Sequence, residues 1–176
     1  MGPDRRPGLT APPKKIRLLG IDPGIARTGY GVVDMWDEHV HHIAHGCLET
    51  DKDDPRQDRI LDLYRQFKKV LEEFKPDLAG VEHLYAGRNA TTAIQVAEAR
   101  GVILLGLAQN SIPSRAYAPA SIKLTLTESG RATKLEVREV VMMQLGLEKP
   151  PQPDDASDAL ACALTLLYDT LENPDD

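Results

Sequence analysis

Residues Ile16 to Asp22 (IRLLGID) form a short apolar run that ends on a carboxylate and is stopped at once by Pro23-Gly24. An apolar run bounded by turn residues reads as a buried strand. Two more runs, Thr28 to Met35 (TGYGVVDM) and Val40 to Glu49, follow at a spacing that predicts an antiparallel meander. The period then changes. Asp54 and Pro55 predict a helix start, with Asp54 as N-cap and Pro55 at the first position. Ile60, Leu63, Tyr64, Phe67, Val70, Leu71 and Phe74 fall on one face of that helix, and Pro76 ends it. Leu78 to Glu82 predicts a fourth strand, Asn89 to Ala108 a long apolar helix, and Ile112 to Ala118 a fifth strand closed by Pro119. Thr133 and Glu136 have the spacing of a capping box, so a helix is expected from about Lys134. A last helix is expected from about Pro153 and Asp154 to Leu171.

The resulting order, β-β-β-α-β-α-β-α-α, is that of an α/β protein with a five-stranded mixed sheet flanked by helices on both faces. The first and fourth strands are expected to be parallel neighbours, because the connection between them contains a long helix. One domain is expected over residues 16–171, preceded by a flexible arm at 1–15 and followed by a short acidic tail at 172–176.

Composition narrows the function classes. No stretch approaches the ~20 apolar residues that span a bilayer. The arm carries prolines, glycines and basic pairs but no apolar signal-peptide core, so a cytoplasmic location is expected. Cys47 and Cys162 are far apart and form no CxxC unit, which argues against a disulfide framework or a thiolate zinc site. The formal net charge is -6, yet Ser114 to Arg138 holds five basic residues against two acidic ones, enough to face phosphates or simply to form a solvated surface.

The acids carry the chemistry. Asp22 and Glu82 each close an apolar strand. If those strands pair in parallel, ~4.8 Å apart, both carboxylates reach one sheet edge, where α/β folds place ligands. The last helix adds Asp154, Asp155 and Asp158, whose spacings of three and four put Asp158 on a face with each of the others. Asp154 and Asp155 also suit a helix N-terminus by themselves, through the helix dipole. That reading leaves Asp22 and Glu82 unexplained. Converging carboxylates repel unless a cation joins them, and oxygen-only ligands favour Mg²⁺ or Mn²⁺.

These residues lie in segments that resemble the RuvC family of Holliday-junction resolvases: GIDPGIARTGYGV (Gly20 to Val32), PDLAGVEHLY (Pro76 to Tyr85), NATTAIQVAEARGV (Asn89 to Val102) and PQPDDASDALACAL (Pro151 to Leu164). The resemblance runs over about residues 16–169. It implies an RNase H-like fold and a divalent-metal-dependent endodeoxyribonuclease that resolves four-way DNA junctions in recombination and repair. It implies paired symmetric nicks that leave 5′-phosphate and 3′-hydroxyl ends, and two Mg²⁺ or Mn²⁺ ions per active site. Its four metal-binding acids carry over to Asp22, Glu82, Asp155 and Asp158. Spacing alone does not choose between Asp154 and Asp155; the family pattern chooses Asp155. The resemblance further implies a catalytic role for Lys134, stacking of Tyr85 on an unpaired base, and a basic position at Lys123. Arg88, Arg115 and Arg131 are further candidates for the DNA path, with Lys134 at a helix start suited to phosphate. A branch-migration complex is an implied partner.

Outside these positions, His39, His41, His42 and His45 cluster without a converging carboxylate or thiol, and read as a solvated strand rather than a zinc site. His39 and His41 are expected to share one strand face, and His42 to share one with Ala44. His83 follows Glu82 and is expected on the opposite strand face. Ala93, Ala97 and Gly101 place small residues every fourth position on a helix that is apolar on several sides (Ile94, Val96, Val102, Ile103, Leu104, Leu105), which predicts a homodimer. Alternative readings are an RNase H-like nuclease acting on RNA–DNA hybrids, an actin-like or sugar-kinase-like ATPase, and a junction-binding protein without catalysis. The ATPase would need a second Asp-x-Gly loop, which this sequence lacks.

Overall fold

The structure, a computed structural model, describes residues 15–37, 39–83 and 90–173. Strands β1 (Ile16–Asp22), β2 (Arg27–Trp36) and β3 (His39–Glu49) form the antiparallel meander. Helix α1 (Arg56–Phe74) crosses to β4 (Leu78–Glu82), which lies parallel to β1 with Ile21 opposite Val81. Helix α2 (Ala90–Gln109) leads to β5 (Ser114–Tyr117), parallel to β4. Three helices follow: α3 (Pro119–Thr127), α4 (Lys134–Leu145) and α5 (Asp154–Glu172). The sheet order is β3-β2-β1-β4-β5. It is the five-stranded mixed sheet expected, an RNase H-like arrangement.

Strand alternation divides the core in two. Leu19, Ile21, Val32, Ala79 and Val81 face α1 and α2, meeting Leu63, Phe67, Ile103 and Leu107. Leu18 and Val33 face the other way, onto Leu160 and Leu164 of α5, with Val137 and Val141 of α4 and Ile122 of α3 behind. Among the described residues no helix is long and apolar enough to cross a membrane.

Helix α5 determines the geometry of the second face. A Cβ on Gly20 would stand 2.0 Å from the Ala159 carbonyl oxygen and 2.4 Å from the Ala163 nitrogen. One on Gly29 would stand 1.9 Å from the Asp155 carbonyl oxygen. The backbone of α5 therefore rests directly on that of β1 and β2, nearer than any side chain at these positions allows. Ala156, Ala159 and Ala163, all fully buried, supply the matching small surface on the helix.

Some local expectations are corrected. Helix α3 is absent from the sequence reading: Pro119, taken as the stop of β5, instead starts a helix in its first turn, a position that needs no N–H. Asp54 does not cap α1; Pro55 holds the N-cap position with no side-chain cap bond, and the Asp54 N–H turns back to the Asp51 carbonyl at 3.4 Å. Strand β5 is shorter than expected. His42 and Ala44 do not share a face, because a bulge between Val32 and Val33 pairs His42 with Val33 and Ala44 with Val32. The capping box of α4 forms as expected, with Thr133 Oγ1 accepting from the Glu136 N–H at 3.2 Å and Glu136 Oε2 accepting from the Thr133 N–H at 2.7 Å.

The contact between α5 and the sheet yields a first expected outcome. Gly20→Ala lowers the unfolding free energy by about 1–3 kcal/mol or more, since the new methyl meets helix backbone that cannot yield locally. Gly130→Ala, whose nearest neighbour would be the Ala120 oxygen at 3.5 Å, leaves it nearly unchanged. Urea denaturation of the two variants checks this.

Candidate active site

Asp22 and Glu82 are the last residues of two adjacent parallel strands, one step beyond the Ile21–Val81 pair. Alternation puts both on the sheet face that carries α5, since Leu18, Gly20 and Asp22 share a face, as do Leu78, Gly80 and Glu82. The low seat of α5 then brings its first turn to the same end of the sheet. Asp155 and Asp158 lie on the side of the helix turned toward the strands and are partly buried. Asp154 is exposed and pairs outward with Arg138, 3.5 Å from Arg138 NH1 to Asp154 Oδ1. Spacing could not choose between Asp154 and Asp155; the helix orientation brings Asp155 inward.

The electrostatics are those of crowded acids. Burial, then the charges of Asp158 and Asp155, raise the Asp22 carboxyl from 3.8 to about 6, with Lys134 opposing. Burial, then Asp22 and Asp158, raise Glu82 from 4.5 to about 8, against Lys134 and Lys123. Neither accepts a hydrogen bond or contact ion pair from the described residues. The two helix acids do have cations. Lys134 Nζ lies 2.6 Å from Asp158 Oδ2, a contact that raises the lysine pKa. Arg27 Nε lies 3.1 Å from Asp155 Oδ2, at an angle that makes no hydrogen bond, so this buried oxygen remains unsatisfied. Arg27 stood inside the opening motif but was not singled out by sequence reasoning, because only the tertiary approach of α5 gives it a partner.

The other candidates are dispersed. Lys123 joins Glu82, Lys134 and Asp158 around a cleft floored by Ile122, Val137 and Ala161. Arg131 is exposed in the turn before α4. Arg115 is engaged with Asp169 at 3.0 Å, far down α5 from the acids, where Tyr117 also donates to Asp169. Tyr85 and Arg88 lie outside the described residues. His83 is exposed just past β4, its N–H bonded to the Tyr117 carbonyl at 2.7 Å. His42 Nε2 and His45 Nδ1 are 2.8 Å apart, and burial holds both rings below their usual pKa.

An all-oxygen acid set, in which Asp22 and Glu82 are held above the usual carboxylate range and one Asp155 oxygen is orphaned, fits a hard divalent cation. As the side chains stand, no group of three His, Cys, Asp or Glu among the described residues is arranged to hold an ion. Lys134 and Arg27 hold two of the donors instead.

Known proteins share the sequence and fold of this chain. The family profile described as Crossover junction endodeoxyribonuclease RuvC matches residues 18–166. A protein of that name from Thermotoga petrophila is 45% identical over 148 residues, 84% of this chain and 90% of the relative. One from Prochlorococcus marinus strain AS9601 is 43% identical, covering 86% and 96%. The solved structure "T. thermophilus RuvC in complex with Holliday junction substrate" superposes with a TM-score of 0.82 at 30% identity, over 90% of this chain and 96% of that one.

The pKa values give a second expected outcome. Between about 4.5 and about 8 the folded protein keeps a proton on Glu82 that the unfolded chain releases, so the stability of the ion-free protein falls as pH rises through that window. Asp22 adds the same slope between 3.8 and about 6. Scanning calorimetry in EDTA shows a Tm that decreases from pH about 5 to about 8, and Glu82→Gln flattens the upper part. Equal slopes in both proteins contradict the assignment.

Proposed function

The chain belongs to the crossover junction endodeoxyribonuclease RuvC family, and from that membership we propose that it cuts four-way DNA junctions in recombination and repair with paired, symmetry-related nicks. The observation that carries the reading is the convergence of Asp22, Glu82 and the first turn of α5 at one sheet edge, in a chain whose fold matches a relative solved on a Holliday junction. We assign Asp22, Glu82, Asp155 and Asp158 as the residues that would hold two Mg²⁺ or Mn²⁺ ions. Bound there, such ions supply a nucleophilic water near neutral pH and offset charge on the leaving oxygen.

The chain's own groups do the rest. Water attacks phosphorus in line, the P–O3′ bond breaks, and the 3′-oxygen takes a proton, leaving 5′-phosphate and 3′-hydroxyl ends. Lys134 stays an ammonium at the α4 N-terminus. There it fixes Asp158 and presents positive charge to a phosphate beside free backbone N–H groups. Lys123, across the cleft, adds a second charge to the same phosphate path. Glu82 carries a proton near neutral pH, which it would have to release to hold an ion. Arg131, Tyr85 and Arg88 extend the DNA path in this reading, with Tyr85 stacking on an unpaired base. Arg115, tied to Asp169, supports the β5–α5 contact rather than DNA.

A homodimer supplies the second site that paired nicks require. Support comes from α2, where Ile94 is 61% and Leu105 54% exposed, and where Gly101 is exposed with open space beyond it. The small-residue stripe thus faces away from its own subunit. A junction-binding branch-migration complex is the partner that membership of this family suggests.

The test uses synthetic four-way junctions with one labelled strand at a time, in Mg²⁺ or Mn²⁺. The wild-type protein nicks opposing strands at symmetric positions. Asp22→Asn binds the junction with cutting reduced by at least about 100-fold, the scale on which losing one transition-state charge contact is felt. Preferential cutting of an RNA–DNA hybrid, or binding without nicks, contradicts the proposal.

A further inference from the structure

We propose that the Arg27 guanidinium competes with the divalent ion for Asp155 and leaves it when the ion binds. This inference rests on the reading of the acids as an ion site. The first residue of β2, Arg27 follows a turn that is firmly held. Thr28 Oγ1 accepts from the Gly24 N–H at 3.2 Å and donates to the Gly24 carbonyl at 2.7 Å, while Thr50 Oγ1 donates to the Ile25 carbonyl at 2.6 Å. Its backbone is fixed, but its side chain is not: 53% of it is exposed.

The contact with Asp155 has the marks of a replaceable one. Nε reaches Oδ2 at 3.1 Å without hydrogen-bond alignment, and that oxygen is buried with no other partner among the described residues. The Arg17–Asp34 pair shows the contrasting, structural kind: Nε and NH2 donate to the two carboxylate oxygens at 2.7 and 2.9 Å, and NH1 donates to the Phe74 carbonyl at 2.8 Å. The guanidinium stands against the buried Asp155 oxygen that lacks a hydrogen bond, so an ion held by that oxygen would have to displace it. Nor is Arg27 needed to hold Asp155 in place, since the Asp155 main chain is seated on Gly29. Removing the guanidinium therefore takes away a competitor and leaves the donor where it was.

Counting free Mn²⁺ by electron paramagnetic resonance in the full-length protein tests the idea without relying on cleavage. Arg27→Met tightens Mn²⁺ binding about two- to fivefold, the scale expected for removing one half-exposed ion pair. Arg27→Lys, which keeps a cation, stays near wild type. In an Asp155→Asn background Arg27→Met has no effect, because the competition has lost its object. Unchanged or weaker Mn²⁺ binding in Arg27→Met overturns the inference, as does a gain that persists with Asn at 155. A folded wild-type protein that takes up no Mn²⁺ fails at the earlier step, the assignment of the acids, and overturns this inference with it.

Discussion

The direct seating of α5 on the backbone of β1 and β2 is the contact on which the site depends. Two strand ends bring Asp22 and Glu82 together by parallel pairing alone, but they supply only two of the four converging acids. The remaining acids arrive because glycines on the strands and alanines on the helix let main chain meet main chain. A side chain at Gly20 or Gly29 would lift the helix and carry Asp155 and Asp158 away from the sheet edge. Packing and chemistry are thus one constraint. The small residues that make the fold dense also set where the charge accumulates.

That charge is costly in the absence of a counter-ion, and the protein manages it in two ways. Asp22 and Glu82, partly buried and without contact partners among the described residues, hold protons more tightly than ordinary carboxylates. Asp158 and Asp155 stand against Lys134 and Arg27. Both devices are reversible: protons leave, and exposed basic side chains can turn toward phosphate. In the proposed reading, a divalent ion would enter such a site by exchange for other cations, and its affinity would depend on pH and salt.

Much of this was legible in the sequence. The five strands, the parallel β1–β4 pairing and the convergence of the acids follow from apolar periodicity, from a crossover helix and from carboxylates at strand ends. The capping box fixed the start of α4. What escaped has a physical reason in each case. Helix α3 begins on a proline, which local reading takes as a stop. The bulge in β3 shifts His42 by one residue, and no single-sequence pattern marks it. Arg27 and Arg138 find their partners only across tertiary contacts, so neither stands out from other surface arginines. Asp154 and Asp155 are equivalent by spacing, and only the rotation of α5 on the sheet separates them, turning one outward to Arg138 and the other inward.

In the proposed reading, four acids from three elements form one hard-ion site. Anomalous diffraction from crystals soaked in Mn²⁺ tests it most directly. Anomalous density is expected between the ends of β1 and β4 and the first turn of α5, within ligand distance of Asp22, Glu82, Asp155 and Asp158, with Arg27 turned away. Density beside Asp154 and Arg138 instead, or none at the sheet edge in a well-ordered crystal, would contradict it.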